Sequence, residues 1–258
     1  MRAIGVVAVN TFREAVRDRV LYNLVFFALL MFAAAILVGQ ISIGIEDVVI
    51  VSLGLSAISL IGLLMAVFIG VGLVYKEMDR RTLYALLSKP VRRWEFLLGK
   101  YAGLVLTLGV NTFFMTLGLF TAMLYIKRGL AAGDVSTAVA VYFILLKLAL
   151  VVALALLFSC FTTPLLAILF TAGLYVTGLF VHQIRTFGKI TGSAALDAVT
   201  VWLSYLLPNF GNFNAIAAAA HGRAIPARLI LENTGYTVIY AAVLLAAASF
   251  VFSRHNLK

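Results

Sequence analysis

The chain has 258 residues, of which 64% are hydrophobic and 12% charged, and it carries a net charge of +10. A soluble domain is roughly 45–50% apolar and about 25% charged, so a soluble enzyme, a disordered chain and a small disulfide scaffold are all excluded. The composition is that of an integral membrane protein, where net charge reports which side of the bilayer a loop occupies, not nucleic-acid binding.

The N-terminal twenty residues carry Arg2, Arg13, Glu14, Arg17, Asp18 and Arg19 and are too charged for the apolar core of a cleavable leader. From Asn10 to Asn23, Phe12, Val16 and Val20 recur at helical spacing among Arg13, Arg17 and Arg19. A basic amphipathic helix of this kind lies in the membrane interface just before a span. The same residues also serve as a plain topology anchor.

Six apolar runs follow: Val20–Ile41, Val48–Tyr75, Tyr101–Ile126, Ala138–Cys160, Pro164–His182 and Gly235–Ser253. Each approaches or exceeds the roughly 20 residues that a helix needs to cross a bilayer, and none alternates like a barrel strand. The expected fold is an all-α polytopic membrane protein with six spans and a single transmembrane domain, 1–258. Basic residues set its orientation. Arg2, Arg13, Arg17, Arg19, Lys76, Arg80, Arg81, Lys89, Arg92, Arg93, Lys100, Arg254 and Lys258 fall on one side; Lys127, Arg128, Arg185, Lys189, Arg223 and Arg228 fall on the other. The richer side is the cytoplasmic one, so both termini are expected there. Every Asp and Glu lies in a loop or at a span end, and Lys147 is the one charge well inside a run. It is expected to be structural, pointing into the bundle or bonding to a carbonyl, with a substrate contact as the lesser alternative.

Two runs carry stripes of small or hydroxylated residues. In the second, Ser52, Ser56, Ser59, Gly62, Ala66 and Gly70 share a face; in the fifth, Thr171, Tyr175, Gly178 and His182 do. Such faces permit close helix packing in lipid, and they also suit the lining of a pathway.

Between the second and third runs lies a charged loop, Lys76–Lys100. In it Thr82–Leu87 forms one to two amphipathic turns, ended by Ser88-Lys89-Pro90 because the residue before proline is pushed out of the helical region. A new helix is expected from about Arg92. The fourth and fifth runs meet in a tight turn, where Thr163 suits an N-cap and Pro164 the first helical position. The external segment 183–234 holds Ala195, Leu196, Val199, Trp202, Leu203, Leu206 and Leu207 at helical spacing, then a break at Pro208–Asn212 and a short helix near Ala215–His221.

Catalytic signatures are missing from the sequence. Gly99-Lys100 and Gly188-Lys189 are followed by Tyr and Ile, so no phosphate-binding Gly-x-x-x-x-Gly-Lys-Ser/Thr loop is present. Cys160 is the sole cysteine, and His182, His221 and His255 are scattered, so no metal spacing exists. With no intramembrane carboxylate, ion-coupled transport has no evident site. The energy for any transport must then come from a partner.

The string Glu77–Arg80-Arg81-Thr82-Leu83, Leu86-Leu87-Ser88-Lys89-Pro90, Arg93 and Gly99-Lys100 strongly resembles the ABC-2 type transporter permeases. More narrowly it is similar to the six-span group that includes the gliding-motility and nitrous oxide reductase maturation permeases. The Thr11–Arg19 segment and Leu207-Pro208-Asn209-Phe210 fit the same group; Arg81 departs from it, standing where many members carry Gly. The resemblance implies the transmembrane subunit of an ABC exporter of the type V fold, in a bacterial or archaeal cytoplasmic (inner) membrane. Two ABC ATPase subunits, holding ATP and Mg²⁺, would pair with two permease copies or with one copy and a paralogue. Residues 1–19, with Phe12, Arg13, Arg17 and Arg19, would be a connecting helix. The loop 76–100 would carry the ATPase-coupling residues Glu77, Arg81, Thr82, Leu83, Leu86, Leu87, Ser88, Pro90 and Arg93. Ser159–Thr163 would be a smaller contact, and the external helices would cap a pathway beside the second and fifth spans. Its candidate lining is Ser52, Ser56, Ser59, Gly62, Thr171, Tyr175, Gly178 and His182. This chain itself would hold no cofactor and bind no metal or nucleic acid. Its other partners would be membrane lipid and, as a further candidate, a periplasmic protein. An ion-coupled secondary transporter and a non-transporting ABC-type assembly that transmits force or recruits external proteins are the alternatives.

Overall fold

The computed structural model describes residues 2–15, 26–27, 30–31, 33–34, 37, 45–79, 92–127, 129, 132–190 and 194–254, and among these it contains helices and turns but no strand. The helices are α1 (Arg2–Ala15), α2 (Glu46–Asp79), α3 (Arg93–Lys127), α4 (Val135–Ser159), α5 (Pro164–Leu179), α6 (Val181–Ile190), α7 (Ala194–Leu206), α8 (Ile216–Ala220) and α9 (Ala227–Arg254). Short 3₁₀ turns stand at Ala132–Asp134 and Phe210–Phe213.

Four of these helices hold stretches long and apolar enough to cross a bilayer: Glu46–Gly72, Trp94–Ile126, Val135–Ser159 and Ala227–Phe252. The pair Pro164–Leu179 and Val181–Gly188, bent by 56°, makes a fifth if counted as one span. The expected first span, Val20–Ile41, lies mostly outside the described residues. Its described positions are helical, and Phe27, Met31 and Ala34 are buried in the core.

The centre of the bundle is α4. Every residue from Lys147 to Leu156 is buried, which requires neighbours on all sides. α2, α3, α5 and α9 supply them. α2 and α4 run in the same direction: Gly62 of α2 meets Leu148, and Gly70 meets Ala155. That direction is expected for two spans separated by one other. A Cβ on Gly62 would come within 2.6 Å of the Leu148 side chain, so the glycine is what lets the two backbones approach.

α1 packs along the first turns of α3, again in the same direction. Val7 touches Gly99, and Ala8 and Thr11 touch Gly103. The Gly99-x-x-x-Gly103 spacing gives α3 a groove for α1. Thr11 and Ala15 are buried in this seam, while Val6 and Val9 face outward. The seam is continued by Phe27, which reaches Gly118.

At the other end of the bundle α8 docks on α2 and α4. It closes with the Arg223 N–H donating to the Ala218 carbonyl (2.9 Å) and the Gly222 N–H to that of Ala219 (3.0 Å). Gly222 has φ of +62°, the left-handed conformation this helix ending requires.

One polar residue sits oddly in the core. Asn111 of α3 is buried and donates to the thioether sulfurs of Met65 (2.9 Å) and Met115 (3.4 Å). These are weak acceptors, and Asn111 Oδ1 has no partner among the described residues. Replacing both ends of a poor buried polar contact by an apolar group is close to neutral. Asn111→Leu is therefore expected to leave the thermal midpoint of the purified protein unchanged or raise it, within about 1 kcal/mol. A clear fall would show that the amide matters more than these contacts suggest.

Candidate functional site

Lys147 points into the bundle, the first of the two expected arrangements, and bonds to a side chain and not to a carbonyl. Lys147 is the thirteenth of the 25 residues of α4, halfway along the span, and it is 7% exposed. Its Nζ donates to Ser59 Oγ of α2 at 2.6 Å. It also stands 5.8 Å from the ring centroid of Tyr175 on α5, within range of a cation–π contact. One charged residue thus joins three helices. A lysine at the centre of a span costs about 2.5–3.5 kcal/mol on insertion scales, and both of its partners are neutral.

Immediately beside this node lies a plug. The 3₁₀ turn Phe210–Phe213 turns back into the bundle, with Phe210 0% and Phe213 1% exposed. The Phe210 ring lies 5.1 Å from that of Tyr175 and rests on Gly178 of α5, where a Cβ would stand 2.6 Å from the Phe210 ring. The plug is fastened from α9. The Tyr236 hydroxyl accepts the Asn209 N–H (2.9 Å), Tyr240 donates to the Leu206 carbonyl (2.7 Å), and Asn233 donates to that of Asn212 (3.1 Å). The 16 residues of α5 span about 24 Å, short of the roughly 30 Å of hydrocarbon. The chain then bends by 56° into α6, and Phe210 packs on the later turns of α5 at Tyr175 and Gly178.

The stripes converge on this region, but unevenly. In α2, Ser59, Gly62, Ala66 and Gly70 are buried, and Gly62 and Gly70 pack on α4. Ser52 is half-buried, donating to the Val49 carbonyl (3.1 Å), and Ser56 is exposed. In α5, Thr171, Tyr175 and Gly178 are buried, with Thr171 donating to the Ala167 carbonyl (2.7 Å). His182 leaves that face and is exposed, because the bend between α5 and α6 reorients it.

The loop expected to meet a partner falls mostly outside the described residues: Arg81, Thr82, Leu83, Leu86, Leu87, Ser88 and Pro90 all do. Glu77 and Arg93 lie on the flanking ends of α2 and α3. α3 is started by Glu95, whose carboxylate accepts the Arg92 N–H at 3.0 Å, a local closure of a helix start. At the Ser159–Thr163 turn, Pro164 takes the first position of α5, and Thr163 precedes it without a side-chain cap bond. In α1, Phe12 is half-buried and Arg13 exposed; Arg17 and Arg19 lie outside the described residues.

The segment between the fifth and sixth runs forms the expected helical pieces. α7 covers Ala194–Leu206 and α8 covers Ile216–Ala220. α7 pairs with α6, Gly188 against Thr200, and leaves Trp202, Tyr205 and Leu206 exposed. Among the described residues no group of three or more His, Cys, Asp or Glu could hold a metal ion.

The seat of Phe210 on Gly178 and the Gly99–Gly103 groove were not anticipated from the sequence. The second has a local signature, glycines four apart at the start of an apolar run. The first has none, because it joins residues more than thirty positions apart.

The family model described as ABC-2 family transporter protein matches residues 6–257. The comparison with curated proteins finds no match.

Proposed function

Because the chain belongs to the ABC-2 family of transporter proteins, we propose that this permease subunit is the membrane part of an exporter driven by two separately made ATPase subunits. The family match across nearly the whole chain carries this reading. Two further observations support it: the all-helical bundle of apolar spans, and a sequence without a phosphate-binding loop of its own. ATP and Mg²⁺ belong to the partner subunits.

In this reading the segment Thr82–Ser88 docks in a groove of the ATPase. ATP binding shifts the complex only through its differential affinity for two states, and the docked segment carries that difference into the membrane. α2 and α3 leave the loop directly, so they move first. α1 follows α3 through the Gly99–Gly103 seam. α2 carries Ser59 away from or towards Lys147 and Tyr175, and Phe210 seals the outer end. The stripes of α2 and α5 then line the pathway between closed and open forms. Two copies of the permease, or one with a paralogue, complete the transporter in a cytoplasmic membrane.

The test is a pull-down. With Leu83, Leu86 and Leu87 replaced by Asp, the permease is expected to insert and fold as before but to lose co-purification with its ATPase. Retained co-purification would sink the docking assignment. An ion-coupled carrier has less support, since the sequence places no carboxylate in the middle of an apolar run.

A further inference from the structure

We propose that Lys147, Ser59 and Tyr175 form an intramembrane anion site, closed by Phe210, which takes the phosphate or carboxylate group of the transported molecule. The site deepens the pathway reading of α2 and α5 and rests on it.

The argument starts from charge. Lys147 lies at the midpoint of α4, and the sequence offers it no carboxylate at that depth. Along α4 the nearest acid is Asp134, thirteen residues away, or about 20 Å of helix. On α2, Glu46 and Asp47 stand at the far end from Ser59, at about 18–20 Å by the same reckoning. Among the described residues, the side chains that meet the ammonium group are a hydroxyl and an aromatic face, and neither cancels its charge. A structural pin between α2 and α4 needs only a neutral hydrogen bond, which a glutamine could make. The positive charge has a use where a negative group arrives.

The geometry says how it arrives. Lysine offers three donors in any direction, and Ser59 takes one of them. Tyr175 links the site to the plug, since the same ring meets both Lys147 and Phe210. Withdrawal of Phe210 from Gly178 would uncover Tyr175 and then Lys147. Ser56, one turn from Ser59 on α2, is already exposed. The surrounding core is apolar and includes Leu148, Phe210 and Phe213. A single cation among apolar walls favours an anionic head carried on an apolar body. A free inorganic anion shares the head chemistry and is separated by experiment. A cation is repelled, and a neutral sugar lacks the several donors and acceptors it would need.

The experiment uses the purified full-length permease in neutral detergent. Thermal unfolding is followed while phosphatidylglycerol, phosphatidylcholine or inorganic phosphate is added, for the wild type, Lys147→Gln and Lys147→Arg. The wild type is expected to be stabilised by phosphatidylglycerol over phosphatidylcholine. Lys147→Gln, which keeps a donor for Ser59 but drops the charge, is expected to weaken that apparent affinity about tenfold, and Lys147→Arg to restore it. A response to inorganic phosphate with the same dependence on Lys147 would identify a free anion as the source. A Lys147→Gln protein that responds as the wild type does would overturn the site, because the binding would then belong to basic residues elsewhere. If Lys147→Gln does not fold, Lys147→Met is measured in the same way. Binding is read on the permease alone, so it is decided separately from the ATPase pull-down. Anion binding at Lys147 without any effect on transport by the assembled complex would remove the pathway reading and leave the site.

Discussion

Phe210→Ala is expected to destabilise the permease by about 3 kcal/mol and to open its outer end to water. The figure is the low end of the usual cost of truncating a buried phenylalanine. The low end applies because lipid supplies little hydrophobic drive, so the loss is chiefly of packing contacts. Phe210 is fully buried, tilted against the Tyr175 ring and seated on Gly178. Nothing local can refill its place: the backbone at Asn209, Asn212 and Leu206 is tied to α9 through Tyr236, Asn233 and Tyr240. The turn cannot slide inward to close the gap, so a cavity forms directly over Tyr175. Thermal unfolding measures the first effect. The second is measured by placing a thiol at Ser59 (Ser59→Cys) with the native Cys160 replaced by Ser, then adding a membrane-impermeant maleimide from outside. The thiol should be protected when Phe210 is present and labelled when it is alanine. Protection in both would show that another group makes the seal.

This plug also shows where reading the sequence alone stopped. The ends of α4 and the start of α5 were legible, because apolar run length and Pro164 are local signals, and each fell within a few residues of expectation. So were α7, from its helical spacing, and the break after it, from Pro208 and Gly211. What the break does was not legible. Phe210 reads as one more aromatic residue in a loop, and its seat depends on contacts with α5 and α9 that lie far off in the sequence. Lys147 stood out as an intramembrane charge, yet its partner did not. Ser59 had been noticed only as one position in a packing stripe, and the match of Ser59 to Lys147 depends on the register of α2 against α4. That register is set by Gly62 and Gly70, which carry their information only once the opposing helix is known. The His182 position was lost for a related reason: helical spacing assumes a straight helix, and this one bends between Leu179 and Val181.

The seam between α1 and α3 leads to the second large effect. At Gly103 a Cβ would stand 2.6 Å from the Ala8 carbonyl oxygen and 2.7 Å from Thr11 Cβ. A backbone oxygen in a helix cannot swing aside as a side-chain tip can, so a larger residue must push the whole of α1 outward. Gly103→Leu is expected to cost about 3 kcal/mol, the upper part of the range for overpacking, with Gly103→Ala intermediate. Gly109 lies on the same helix, and a Cβ there meets nothing within 4 Å among the described residues. Gly109→Leu is thus the matched control, expected to change stability by no more than about 0.5 kcal/mol. The functional consequence separates docking from transmission. The loop between α2 and α3 is untouched by either change, so both variants should still co-purify with the ATPase. If α1 moves with α3 as one body, however, freeing it should sharply lower ATP-driven transport in Gly103→Leu and spare it in Gly109→Leu. Equal transport by the two variants, with α1 shown to be detached by its new sensitivity to protease, would mean that α3 alone carries the motion.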